Sequence, residues 1–259
     1  MQRATLLSAA LSVVIAAAGC RPEVVIASND PDATSGAGGS GMAGTATGGG
    51  GTGGVSESPS AGEGGAPPLV EPARILADSV ADFSLTQSEL GWYYGYDLGS
   101  LDSFTLLNKK SQITKYKPES NDVWDCWATD TAYWTQIFQM GAHPNGTTTS
   151  APVNAILQRA VRRWVSTFAG EVTIAGEVAK IDVGSLSNGV DASVWVDGTQ
   201  SYTTFIGGED GGGRSYRFRA TLKVGSTVDF VLDPHEGDDR NDLSRFTGIV
   251  VAVNNSPAP

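Results

Sequence analysis

Val172-Thr173-Ile174-Ala175-Gly176-Glu177-Val178 alternates apolar and polar residues. A period of two puts one set of side chains on each face of a pleated strand. The pattern returns at Val190-Asp191-Ala192-Ser193-Val194-Trp195-Val196, which runs straight into Asp197-Gly198. An Asp-Gly pair accepts the positive backbone angles of a two-residue hairpin turn, so a partner strand is expected directly after it. Trp195 alternates away from Val194 and Val196 and belongs on the opposite face. Further on, Tyr216, Phe218, Ala220, Leu222 and Val224 share one face, with Arg217, Arg219 and Lys223 on the other.

Working outward, strands are expected at 104–107, 133–138, 160–167, 227–232 and 246–253, with turn residues between most of them. Residues 153–163 have an apolar spacing that also fits a helix, but Trp164-Val165-Ser166-Thr167-Phe168 favours strand. Many short strands and hardly an amphipathic helix predict an all-β fold, a two-sheet antiparallel β-sandwich of the jelly-roll type. It is expected to span 73–255 as one domain, followed by a tail at 256–259.

The chain before it has a different composition. A basic start at Arg3 and an apolar run over 4–18 lead into Ala17-Ala18-Gly19-Cys20. This resembles the lipobox of bacterial lipoproteins, which implies a signal peptide at 1–19, lipidation of Cys20 and anchorage in the cell envelope, at the outer membrane or cell surface. Ala17 departs from the larger aliphatic residue usual at that site. Residues 36–65 hold fourteen glycines in thirty positions. Such a segment buries too little apolar surface to offset its ordering entropy, so 20–72 is expected to be a disordered tether spanning roughly 35 to 40 Å.

Without residues 1–19 the chain carries 16 basic against 28 acidic residues, a net charge of −12. That balance opposes nucleic acid as a partner, and a monomer is expected. With Cys20 committed to lipid, Cys126 has no intramolecular partner, so a packed core must hold the fold without a disulfide.

Within the domain, Gly91-Trp92-Tyr93-Tyr94-Gly95-Tyr96, Gly141-Ala142-His143-Pro144, Ala160-Val161-Arg162-Arg163-Trp164, and Val228-Asp229-Phe230-Val231-Leu232-Asp233-Pro234 ahead of Ser244-Arg245-Phe246 recur in a familiar order. This resembles a jelly-roll accessory domain of secreted and surface-anchored bacterial proteins, often found beside carbohydrate-active enzymes. The resemblance implies a sandwich similar to non-catalytic carbohydrate-binding modules and transfers no catalytic residue. The sequence departs from that pattern at Gln87-Ser88-Glu89-Leu90, where a Gln-Gly turn is usual.

The residues do not assemble a common catalytic constellation. Two distant histidines, His143 and His235, do not make a cupin-type metal site. Glu236-Gly237-Asp238-Asp239-Arg240-Asn241 lacks the second glutamate of the Glu-x-Asp-x-x-Glu pattern that sets two carboxylates about 5 Å apart in retaining glycosidases. There is no Gly-x-Ser-x-Gly elbow.

The aromatic residues are the better guide. Trp92, Trp124, Trp127 and Trp134, with Tyr93, Tyr94, Tyr96, Tyr116 and Tyr133, crowd into 92–134. Rings stack on the C–H faces of sugars, so polysaccharide is the expected ligand, with Trp124, Trp127, Trp134, Tyr93, Tyr133, His143 and Arg163 as candidate contacts; the alternatives are a structural or adhesive envelope protein without a defined sugar site and, behind it, a glycan-active hydrolase or lyase. Trp92, Tyr94, Tyr96 and Trp164 are expected in the core. Trp124 and Trp127 lie in a stretch, 121–127, that reads as a loop, where they serve either as a platform or as a packed plug. The acidic segment Asp233-Pro234-His235-Glu236-Gly237-Asp238-Asp239-Arg240-Asn241-Asp242 offers oxygen ligands for Ca²⁺ through Asp233, Asp238, Asp239 and Asp242; the alternative is a solvated loop. Arg163 and Arg245 are expected either to pair with these acids or to bond a ligand hydroxyl.

Overall fold

The computed structural model describes residues 73–114, 123–148 and 155–253. The expectations for 1–72, including the signal peptide, Cys20 and the tether, lie outside the described residues, as do Tyr116 and the tail at 256–259. Among the described residues the strands, in chain order, are β1 (Ile75–Asp78), β2 (Trp92–Asp97), β3 (Thr105–Leu106), β4 (Lys109–Thr114), β5 (Val123–Ala128), β6 (Gln136–Phe138), β7 (Gly141–His143), β8 (Arg159–Val165), β9 (Gly170–Lys180), β10 (Val190–Val196), β11 (Thr199–Ile206), β12 (Arg214–Leu222), β13 (Thr227–Pro234) and β14 (Ser244–Ala252).

They form an eight-stranded sheet in the order β12-β9-β14-β7-β6-β5-β4, with β1 added on β14, and a six-stranded sheet in the order β11-β10-β13-β8-β2-β3. Strand pairing within both is antiparallel, and the two pack as a sandwich, the all-β class expected from period-two patterning. The Asp197-Gly198 hairpin closes as expected, with φ of 49° and 75° at the two turn residues.

The core lies between the sheets. Trp92, Tyr94, Trp164, Val194, Phe230 and Leu232 from one face meet Val172, Ile174, Val178, Tyr216, Phe246 and Val250 from the other. The sheets approach so closely that a Cβ on Gly248 would lie 2.2 Å from the Phe230 ring. Arg162 shares the inward face, where backbone carbonyls surround it. Its guanidinium donates to the carbonyls of Ser79 and Phe138, at 3.0 and 2.6 Å. Burial lowers its pKa to about 10, and those carbonyls tie β8 to the end of β1 and to the β6–β7 turn.

Several boundaries differ from the sequence reading. Residues 121–127 were expected as loop, but Val123–Ala128 is strand β5, because residues of both parities find apolar partners there and no alternation shows. The strand expected over 133–138 begins only at Gln136, with Tyr133 and Trp134 in a bend ahead of it. The strand at 104–107 shrinks to Thr105–Leu106. Strand β12 ends at Leu222, so Val224 sits 71 % exposed in a turn, off the buried face. At 87–90, Ser88 and Leu90 take positive φ, 68° and 50°, where glycine is easier. The Gln87 side chain holds this turn by bonding the backbone of Tyr94 and Leu107.

Candidate functional site

The candidate contacts divide among three places. Trp127 is a core residue, stacked on Tyr94 at 6.0 Å, with its indole N–H donated to the Ser84 carbonyl at 2.9 Å. It is 5 % exposed and offers no face to a ligand. Trp124 stacks on Phe138 at 4.8 Å, half-buried over a small second cluster with Cys126 and Leu243. Of the platform and the plug, packing has claimed Trp127 outright and most of Trp124.

Tyr93 and Arg163 are cross-strand neighbours on the outward face of the six-stranded sheet. The Arg163 guanidinium is committed: Nε bonds Asp229 at 2.6 Å, and its centre lies 4.1 Å over the Phe104 ring. Arg245 pairs with Glu177 at 2.8 Å. Neither arginine pairs with the acidic segment, as one sequence alternative required, because sheet register sets other carboxylates beside them.

Tyr133, Trp134 and His143 do come together. Trp134 meets Tyr133 edge-on at 4.6 Å and stacks on the His143 imidazole at 5.0 Å. His143 is buried, and burial lowers its pKa to about 4, so the ring is neutral at pH 7. Its Nδ1 donates to the Pro144 carbonyl at 2.6 Å, the backbone bond that suits a histidine acting as a wall. The bend that carries Tyr133 is fixed from behind by side-chain hydrogen bonds. The Trp134 amide donates to Asn145 Oδ1 at 3.2 Å, the Thr135 hydroxyl donates to Gln158 Oε1 at 2.7 Å, and Gln158 Nε2 donates to Thr131 at 2.9 Å.

In front of this scaffold is a partly enclosed pocket of about 280 Å³, lined by Lys109, Ser111, Gln112, Asp130, Tyr133 and Gln136 among others. That volume is near the lower end for small-molecule sites, about 300 to 1,000 Å³. Tyr133 is 53 % exposed. Lys109 and Asp130 form an ion pair at 2.6 Å, which leaves them with no net charge, and Gln112 donates to Asp125 at 3.0 Å. Among the described residues, Gln136 supplies a buried Oε1 with no hydrogen-bond partner, and Trp134 Nε1 in the neighbouring bend is also unpaired. Leaving a buried polar atom unpaired costs about 1 to 3 kcal/mol, so such atoms mark places where a bound hydroxyl or water completes the bonding.

Gln136, Gln112, Lys109 and Asp130 were not singled out in the sequence. They come from three separate segments, and only the pairing of β4 with β5 and β5 with β6 unites them.

The four acids proposed for Ca²⁺ do not converge. Asp242 is bound to Lys180 at 2.9 Å with both side chains fully buried, and Asp238 pairs with Arg240. Asp239 accepts from the Gly146 amide at 2.8 Å, and Asp233 faces Arg159 at 3.8 Å. Burial lifts the Asp233 and Asp242 carboxyls to about 6, against the pull of their cationic neighbours. Among the described residues no group of three or more His, Cys, Asp or Glu side chains is placed to hold a metal ion. In the Asn145-Gly146-Thr147 sequon, Asn145 is buried and donates to the Ile156 carbonyl at 2.7 Å.

No family model matches the sequence, and no match emerged among curated proteins. Among solved structures, the chain is similar to the CBM22-1 xylan-binding domain from Paenibacillus barcinonensis Xyn10C, at 10 % identity, TM-score 0.30, covering 69 % of this chain and 90 % of that one. A family 35 carbohydrate-binding module from an environmental isolate gives 15 % identity, TM-score 0.29 and coverages of 64 % and 96 %. A Podospora anserina GH26-CBM35 β-(1,4)-mannanase gives 10 %, 0.29, 65 % and 29 %. At these TM-scores the likeness carries no weight for the fold or for a ligand.

Proposed function

We propose that this domain binds a polysaccharide, without acting on it chemically, at the pocket between β4, β5, β6 and the Tyr133 bend. The observation that carries the reading is the exposed Tyr133 ring beside the unpaired, buried Gln136 Oε1. An aromatic face takes the C–H side of a pyranose while an acceptor takes one of its hydroxyls. The Lys109–Asp130 pair brings no net charge, which suits a neutral sugar. The test is retention of the protein on an insoluble polysaccharide from a broad panel. Tyr133→Ala is expected to lose retention with its thermal melt unchanged. Equal retention of wild type and variant on every polysaccharide would remove the pocket from consideration.

The same proposal puts the domain on the cell envelope through a lipid on Cys20, on the strength of Ala17-Ala18-Gly19-Cys20. Cys20→Ala is expected to move the protein from the membrane fraction to the soluble fraction, since the strands among the described residues lie at Ile75 and beyond. Unchanged fractionation of that variant would contradict the anchor.

A further inference from the structure

A second depression, of about 720 Å³ and open to solvent, lies at the loop that joins β11 to β12. Ser185, Ser187, Phe205, Glu209, Asp210 and Arg214 line it. Phe205 is 46 % exposed, and its ring is held in place from two other sides. One side is the backbone of Gly189, which has φ of +108° and where a Cβ would lie 2.6 Å from the ring. The other is the His235 imidazole, 4.5 Å away and bonded through Nδ1 to Asp191 at 2.8 Å. An exposed ring with little freedom to move gives up little entropy when a ligand covers it.

The polar lining is also fixed before any ligand arrives. The Asp210 amide donates to the Gly207 carbonyl at 2.9 Å, and Asp210 Oδ1 accepts from the Gly213 amide at 2.8 Å, closing the loop on itself. A Cβ on Gly208 would lie 2.0 Å from the Ser187 carbonyl, so this loop presses directly on the segment before β10. Arg214 neutralises Asp210 at 2.8 Å. The Glu209 carboxylate has no ion pair or hydrogen bond among the described residues, so the lining carries an uncompensated negative charge.

From this geometry we infer that the Phe205 depression is a second saccharide site, taking neutral sugars and rejecting uronates, so that the domain is bivalent. The inference extends the reading of the Tyr133 pocket to a separate place in the fold. The Phe205 ring supplies the stacking face, and Ser185, Glu209 and Arg214 supply donors and acceptors for ring hydroxyls. Glu209 repels a carboxylate-bearing sugar. The two sites belong to opposite ends of the eight-stranded sheet, β4 at one edge and the loop entering β12 at the other. Six interstrand steps of about 4.8 Å separate those edges by roughly 30 Å along the sheet. Two sites so far apart can hold two chains at once, or one chain at two distant points, and gain avidity from both.

The experiment is titration of the full chain, its Tyr133→Ala and Phe205→Ala variants and the double variant with xylohexaose, mannohexaose, cellohexaose and a galacturonate hexamer. Wild type is expected to bind a neutral hexamer with two sites per chain, each single variant with one, and the double variant with none. Loss of the Phe205 ring should weaken its own site about tenfold or more. Glu209→Ala, on an exposed loop, is expected to admit the galacturonate hexamer and keeps the test open if Phe205→Ala fails to fold. One site per chain in wild type that Tyr133→Ala abolishes and Phe205→Ala spares would overturn the second site alone. One site that only Phe205→Ala abolishes would sustain this inference and overturn the Tyr133 reading. Binding of the galacturonate hexamer by wild type at the Phe205 site would overturn the assigned ligand class, and no binding of any hexamer would overturn both sites.

Discussion

The β8–β13 pair and the β5–β6 pair are both antiparallel neighbours, and they are held by different forces. From Thr227 to Leu232, β13 lies opposite Val165 to Ala160 of β8, with Ala160, Trp164, Val228, Phe230 and Leu232 buried on a single inward face. The β5–β6 pair matches only Cys126, Trp127 and Ala128 with Phe138, Ile137 and Gln136. Apolar burial dominates the first, with the Arg163–Asp229 ion pair bridging its outward side. The second rests on ring contacts and on the Thr131–Gln158–Thr135 bonds behind it, and it ends in a buried oxygen with nothing to bond. The centre of the sandwich is closed by apolar packing, whereas its β4–β6 edge leaves Gln136 Oε1 unpaired beside a pocket, the place proposed above for a sugar hydroxyl.

The largest effects should fall at the fully buried positions. Lys180→Ala strands a fully buried Asp242, and Trp127→Ala opens a cavity in the core; each should cost about 3 to 5 kcal/mol in denaturant unfolding. If Trp127→Ala instead leaves the midpoint in place, the division between core and edge fails. Gln136→Leu should behave in the opposite way, because it removes an acceptor that has no partner. Its stability should stay within about 1 kcal/mol of wild type while sugar binding weakens. A large loss of stability there would mean that Gln136 serves the fold.

The same contrast explains what the sequence disclosed. Strands β9, β10, β12 and β14 are long and mostly one-sided, so alternation of apolar with polar residues reveals them, while β13, buried on both faces from Val228 to Leu232, shows as a short apolar run. Strand β5 has Trp127 on the core side and Trp124 and Cys126 in the second cluster, so both parities look apolar and the period vanishes. Tyr133, Trp134 and His143 were legible as aromatic candidates, and they do meet. Gln136 and Lys109 carry no local signal, since a glutamine in a three-residue strand gains meaning only from what lies across the sheet. Phe205 follows a run of polar residues in β11 and reads as an ordinary strand position. The acidic segment misled because composition counts carboxylates without showing their partners. Lys180, far away in sequence, is what occupies Asp242.

A smaller effect concerns pH. Burial first, with Asp191 and Asp97 adding to it, raises the Asp233 carboxyl to about 6, above the ordinary unfolded value of about 3.9. The folded state therefore holds this proton more tightly than the unfolded chain does. Its contribution to stability is complete below about pH 4 and is lost as pH rises through about 6. Asp233→Asn should flatten the fall in unfolding midpoint between pH 4 and pH 6.5 relative to wild type. An identical pH profile in the two proteins would show that Asp233 titrates normally.

The most direct test of the central claim compares wild type and Tyr133→Ala on one polysaccharide that retains the wild type, with thermal melts of both. Truncating this half-exposed ring removes only its edge contact with Trp134 and should change stability by no more than about 1 kcal/mol. The account predicts coincident melts and loss of retention for Tyr133→Ala. Full retention by that variant, or a collapsed melt, would contradict it.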